Sequence, residues 1–363
     1  MNKIFRYLAI LATTATALAD TAGFAVFRSL AESEKGNLTF SPAGLENLLR
    51  SLRSYSSGET RKILNKISLS KPNTHSAMKV RQADAIFAAH NITLNPGFGD
   101  VHTVNFGKPV TAAASINSWC NKQTEGMIPT IVQPSDLDAN TAFVSANAIY
   151  LHEKWLCPFN TETTRDAVFT CANGEKKMVP MMQEENKFHV MREEDWIAVA
   201  LPYDTKGNNG TPGYFIGILP GSSMDARAFA ANFTQEKYNA IRKALRANDP
   251  VKVRVCLPRF SVKTPVMELR PALEKLGLSP LFQQADFSRL VKSAPKPLYL
   301  SRVIQKCCVD VDEQGTKAAA VTAAVARFKG LPRSVYFNRP FIWIIGELQG
   351  NSAPWFMGLY EQP

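Results

Sequence analysis

At 363 residues, 45% hydrophobic and 10% aromatic, the chain has the composition of a globular protein with a large core, which excludes disordered and collagen-like classes. Its formal charge of +11 is scattered over short groups, Arg50/Arg53, Arg61/Lys62 and Arg242/Lys243/Arg246, without interleaved aromatics. No nucleic-acid interface is therefore expected; these groups read mostly as solvated helix faces, and the excess charge leaves room only for weak polyanion binding.

The chain opens with MNKIFRY, then LAILATTATALA, an apolar stretch ending in the small triplet Ala17-Leu18-Ala19. Residues 1–19 read as a secretory leader and residues 20–363 as the mature domain; the rival reading extends the first helix back through residues 7–19. No apolar run reaches the roughly 18 residues of a spanning helix, so no membrane span is expected. Residues 22–33 place Phe24, Phe27 and Leu30 at helical spacing, and Ser41-Pro42 opens a second periodic run through Leu45, Leu48, Leu49 and Leu52. Residues 111–126 form a third amphipathic helix with Ile116, Trp119 and Cys120 on one side and Gly126 at its end.

The period then changes. Residues 142–151, AFVSANAIYL, are nearly unbroken apolar and small residues, as in a strand covered on both faces. Residues 251–257 alternate, with Val251, Val253, Val255 and Leu257 on the buried side, and residues 266–276 read as a helix ending at Gly277. In VIQKCCVDVD (303–312), Val303, Gln305, Cys307, Val309 and Val311 share one face, and Ile304, Lys306, Cys308, Asp310 and Asp312 the other. Cys307 and Cys308 thus point apart, and no disulfide between them is expected. The tail reads as two strands joined at Gln349-Gly350-Asn351-Ser352. Helices first and strands later, without βαβ alternation, make the fold class α+β.

Six cysteines without CxxC spacing read as buried thiols, and no metal site or cofactor is expected. Asn37, Asn91 and Asn232 head N-x-T sequons and are candidate glycosylation sites. Catalysis finds no support: there is no GxSxG elbow, phosphate-binding loop or GxGxxG turn, and HEKWL (152–156) lacks the second histidine of a zinc protease.

Seven segments are more specific: NLTFSPAGL (37–45), INSWCNKQTEGMI (116–128), FVSANAIYLHEKWLCPF (143–159), VCLPRFSV (255–262), VDEQGTKAAAVTAA (311–324), FNRPFIW (337–343) and FMG (356–358). In order and spacing they resemble the serpin superfamily over essentially the whole mature chain. The resemblance implies a monomer with about nine helices, three mostly antiparallel sheets and an exposed reactive loop, here about residues 313–335. It implies a protease inhibitor rather than an enzyme. A protease cleaves the loop and is held as an acyl-enzyme while the loop inserts between two central strands, here 143–151 and 303–312. The alternatives are a non-inhibitory carrier or chaperone of the same fold, and an inhibitor of another protease class.

The run GTKAAAVTAAVARFKGLPRS (315–334) alone would read as an alanine-rich helix or a plain linker. If it enters a sheet as the resemblance implies, alternate residues must face the core. Counting in twos from Thr316 gives Thr316, Ala318, Ala320, Thr322, Ala324 and Ala326, all small and uncharged; Lys317, Ala319, Val321, Ala323, Val325 and Arg327 face outward. A charge on the inward set would cost several kcal/mol, so this pattern suits insertion. The resemblance makes Glu313, Gly315, Thr316, Ala318, Ala319, Ala320 and Thr322 the hinge. It places the cleaved bond between Lys329 and Gly330, with Phe328 and Arg327 in the adjoining subsites and Arg327 or Arg333 as alternative bait residues. A basic bait residue implies a trypsin-like serine protease as partner.

Further matched positions give a polar cluster that governs sheet opening, Ser41, Asn147 and Gln305, the last where the family has histidine. Trp155 stands at the top of the opening, and Arg259 is expected to pair with Glu313. The segment between Leu64 and Ala85 is short, so the helix at which vertebrate members bind heparin is expected to be truncated or absent.

Overall fold

The computed structural model describes residues 20–316 and 334–363, apart from the single positions Gly99, His152, Thr264 and Lys296. The expected helices of the first third form with little adjustment. Helix Ala22–Ser33 buries Phe24, Phe27 and Leu30. The Ser41 hydroxyl then caps helix Pro42–Tyr55 by accepting from the Gly44 amide at 3.0 Å, with Pro42 supplying the fixed φ of the first turn. Helix Pro109–Gln123 follows, with Ile116 and Cys120 turned inward.

Among the described residues there are seven α-helices rather than about nine. None lies between Asn65 and Val80, where the chain is held instead by isolated bridges of Lys71 with Ser352 and Ser76 with Thr211. The helix expected over 266–276 is also broken up. Met267 and Glu268 pair as a short strand with Gln305 and Ile304, and regular helix covers only Arg270–Leu273 before a wider turn through Gly277. The ladder with 300–311 offers residues 267–268 hydrogen bonds that their helical periodicity does not reveal.

The main sheet has six strands. Its path runs from Phe260–Lys263 to Leu300–Val311, Phe143–Leu151, Val80–Ala89 and Val101–Val104, with Met267–Glu268 beside Leu300–Val311. A nine-stranded assembly is two sheets sharing the long strand Lys176–Arg192. Part of that strand pairs with Arg165–Thr170 and Val251–Pro258, and its final residues with Trp196–Pro202. Two small ribbons complete the pattern, one of which, Glu153–Lys154 with Gly315–Thr316, follows the ends of Phe143–Leu151 and Leu300–Val311.

Every residue of Phe143–Leu151 is buried, as its composition predicts. Alternation along Leu300–Val311 sends Ile304 and Cys308 into the layer beneath helix Pro109–Gln123, and Cys307, Val309 and Val311 into the core shared with the other sheets. Cys307 and Cys308 accordingly form no disulfide, and neither do the other four cysteines. Strand Val251–Pro258 departs at its ends: Val251 is exposed, and Cys256 is buried because strand Ser334–Tyr336 flanks that end. The tail forms strands Phe341–Glu347 and Phe356–Tyr360 about the expected turn.

Candidate functional site

Leu300–Val311 and Phe143–Leu151 are hydrogen-bonded directly to each other in parallel, with Gln305 opposite Asn147 at the middle of the ladder. Beneath this seam lies the start of helix Pro42–Tyr55. The buried Gln305 side chain accepts from the Ser41 amide at 2.7 Å and donates to the Ser41 carbonyl at 3.1 Å and to Asn147 Oδ1 at 2.8 Å. One primary amide thus ties both central strands to a helix cap. Histidine could donate and accept at two ring nitrogens, but its charge would vary near neutral pH, whereas the glutamine's does not. Gly44 belongs to the same contact: a Cβ there would stand 2.5 Å from Asn147 Oδ1.

The other side of Asn147 holds a group that the motif comparison did not single out. Asn147 Nδ2 donates to Asp84 Oδ1, and Gln82 Nε2 donates to Asp84 Oδ2. Burial pushes the Asp84 carboxyl up to about 6 despite those two hydrogen bonds, with Asp100 adding a like charge. An aspartate in the otherwise small and apolar run ADAIFAA was the available signal. The neighbouring Cys307 thiol, completely buried, is pushed up by desolvation.

Above the seam the chain turns at Asp312–Gly315. The Asp312 carboxylate accepts from the amides of Gln314 at 2.9 Å and Gly315 at 3.2 Å, and the Asp312 amide donates to the Gly315 carbonyl at 2.9 Å. Gly315 has φ +152°, and a Cβ there would stand 2.2 Å from the Glu153 carbonyl oxygen, so a side chain is excluded on both counts. After this turn Gly315 and Thr316 pair antiparallel with Lys154 and Glu153.

Trp155 lies against this turn. Its ring is stacked on Tyr203 at 4.8 Å and 7°, its indole N–H donates to the Asp312 carbonyl at 2.8 Å, and its amide donates to Gln314 at 2.9 Å. Arg259 meets Glu313 with two nitrogens, Nε to Oε2 at 3.0 Å and the terminal nitrogen to Oε1 at 2.5 Å, while the Thr164 hydroxyl donates to Oε1 at 2.7 Å. Burial opposes the Glu313 charge, but these donors hold its carboxyl below the usual range. Ser41, Asn147 and Gln305 thus form one contact group, and Trp155, Arg259, Glu313 and Gly315 a second one above it.

Ala318, Ala319, Ala320 and Thr322, the expected bait residues Arg327, Phe328, Lys329 and Gly330, the alternative Arg333 and the expected leader at 1–19 lie outside the described residues. Among the sequons, Asn91 and Asn232 are exposed, whereas Asn37 donates from Nδ2 to the Gln362 carbonyl at 2.7 Å. The basic groups are less solvated than their spacing suggests. Arg50 and Arg53 turn onto backbone carbonyls of residues 64–70, and Arg242 is 5% exposed, stacked over Tyr238 at 4.5 Å. Among the described residues no group of three or more His, Cys, Asp or Glu side chains could hold a metal ion, and no helix is long and apolar enough to cross a membrane.

Comparison with known proteins bears on the family and the fold. Residues 17–363 match the family model described as Serpin (serine protease inhibitor). The chain is 29% identical over 390 residues to plasminogen activator inhibitor 1 of Neovison vison, covering 97% of this chain and 94% of that protein. It is 34% identical over 263 residues to leukocyte elastase inhibitor of Bos taurus, covering 70% and 67%. Among solved structures, Manduca sexta serpin-12 superposes with a TM-score of 0.80 at 27% identity over 94% of this chain and 97% of that one. Native protease nexin-1 with heparin gives 0.80 at 25% identity, with the same coverage.

Proposed function

Because the chain belongs to the serpin family of serine protease inhibitors, we propose that it is a secreted, single-use trap for a trypsin-like serine protease, baited at Lys329. The protease serine attacks the Lys329 carbonyl, the Lys329–Gly330 bond breaks, and Gly330 leaves as a free amine while Lys329 remains esterified to the enzyme. A carboxylate in the protease's specificity pocket would select the lysine ammonium through a charge-assisted contact.

The observation that carries the proposal is the direct parallel pairing of Leu300–Val311 with Phe143–Leu151, with the following residues Gly315–Thr316 turned back over Glu153–Lys154. A strand that continues from this turn runs antiparallel to both central strands. Its entry exchanges one parallel ladder for two antiparallel ones, the more stable pairing per residue, and adds a further strand to the sheet. At a net 0.5–1.5 kcal/mol for each hydrogen bond, a strand of this length supplies on the order of 10 kcal/mol to drive the movement. The small, uncharged inward set from Thr316 to Ala326 lets the strand enter without burying a charge.

The absence of a helix between Asn65 and Val80 argues against heparin activation at that place, and only weak polyanion binding is proposed. The test is to mix the mature protein with trypsin, and separately plasmin, followed by denaturing gels and mass spectrometry of the released fragment. A denaturant-stable complex with a fragment beginning at Gly330 is expected. Clean cleavage without a complex would leave the carrier reading in its place.

A further inference from the structure

A carboxyl group stands one hydrogen bond away from the seam that must part. Gln305 uses its amide to hold Asn147 from one side, and Asp84 holds the same residue from the other. An Asn side chain can present either its oxygen or its nitrogen to a neighbour. The Gln305 nitrogen requires the oxygen, so the group opposite must accept from Asn147 Nδ2. Asp84 meets that requirement. We propose that Asp84 is a positioning residue for loop insertion, fixing the Asn147 amide toward Gln305, and that its charge makes the parting of the central seam pH-dependent.

This inference rests on the insertion reading above and concerns its regulation. With Gln305 at the position of the family's histidine, the primary amides at the seam carry no proton switch of their own. The groups around Asp84 are few. On its own strand Gln82 donates to it, whereas Arg81 turns away to Glu125 at 3.1 Å. On Phe143–Leu151 it meets Asn147, while Tyr150 packs in the layer on the other side of the sheet. Ahead of Val101–Val104, Asp100 adds like charge; His102 stacks on Phe87, again across the sheet. From helix Pro42–Tyr55, Glu46 accepts from the Gly23 and Ser70 amides, Arg50 and Arg53 donate to carbonyls, and Tyr55 packs edge-on against Phe98. From Leu300–Val311, Cys307 contacts Gln305 at 3.5 Å. No cation among these described neighbours neutralises Asp84.

The sign follows from burial. In the closed sheet the carboxyl is held near 6, so ionisation is disfavoured; once the seam parts and water reaches Asn147, its pKa falls back toward the ordinary 3.8. Parting therefore releases a proton between those values, and raising the pH through about 6 favours it.

The test offers a synthetic peptide of residues 315–328 to the intact protein at pH 5 to 8 and measures the rate of its incorporation on native gels. Wild type is expected to incorporate it about tenfold faster at pH 8 than at pH 5, with a midpoint near 6. Asp84→Asn, which keeps an acceptor for Asn147, should give a rate independent of pH, and Asp84→Glu should restore a titration. A flat wild-type profile, or an unchanged midpoint in Asp84→Asn, overturns the proposal. If Asp84→Asn does not fold, the wild-type midpoint and the Asp84→Glu profile decide. Should no peptide enter at any pH, the insertion reading itself fails, and this inference with it.

Discussion

The middle of the main sheet and the middle of the nine-stranded assembly are built from opposite materials. In the assembly, Trp343 is fully buried and lies parallel to Phe215 at 6.3 Å; Phe260, from the edge strand of the main sheet, packs on it at 6.1 Å, with Phe341 and Tyr360 next to Phe260. At the seam the contacts are Ser41, Gln305, Asn147 and Asp84, joined by hydrogen bonds. Burying aromatic surface is favourable only while the rings stay packed, so a strand cannot leave without a large loss. A hydrogen bond contributes about 1 kcal/mol net because water or another strand can replace the partner. Within one chain, therefore, the apolar region is held by packed surface, while the polar seam is held by hydrogen bonds, which is the contrast that the proposed insertion needs.

The strongest way to break this contrast is at the hinge. Thr316→Arg places a charge on the inward set, and the protein should be cleaved and released by trypsin with no stable complex on denaturing gels; persistent trapping would refute insertion. Next in size is the effect of loop cleavage itself. Protein cleaved in the loop should melt well above intact protein by calorimetry, beyond the roughly 2–4 °C that one kcal/mol gives a chain of comparable size. Trp343→Ala sharpens the other half: by leaving a cavity among packed rings it should cost about 3–5 kcal/mol, measured by calorimetry on the intact protein.

Gln305→Ala should cost less, about 1–3 kcal/mol, by leaving the Ser41 amide and Asn147 Oδ1 unpaired. It should also speed peptide incorporation, whereas Trp343→Ala should not. The smallest effect belongs to Glu313. Its pKa lies below 4.5, so its stabilising contribution is complete at pH above the unfolded value and is lost as pH falls below about 4.5 through the folded one. Acid unfolding of Glu313→Gln should be shallower in that range than that of wild type. Arg259 is half exposed, so screening keeps the difference modest.

Much of this contrast was legible in the sequence. Helical spacing in Ala22–Ser33 and the Ser-Pro start of Pro42–Tyr55 carry their own signals, and the unbroken run Phe143–Leu151 could only be covered on both faces. The break-up of residues 266–276 was not legible, because a neighbouring strand competes with their helical pattern. At the site, Ser41, Asn147 and Gln305 could be placed by resemblance, yet Asp84 could not, because its role arises from strands that pair across more than sixty positions of chain. Arg50, Arg53 and Arg242 misled for a related reason: helix spacing reports where a side chain starts, and carbonyls elsewhere in the chain decide where its charge ends.

The stacking of Trp155 on Tyr203, with its N–H on the Asp312 carbonyl, also has an optical consequence. The indole touches the turn at Asp312–Gly315, so its emission should change on the proposed insertion. Trp343, fully buried, stacks on the Phe215 ring that Trp155 meets edge-on at 5.9 Å, so the two indoles belong to one aromatic layer. The chain thus contains its own fluorophore for timing the movement, with no need of an attached label.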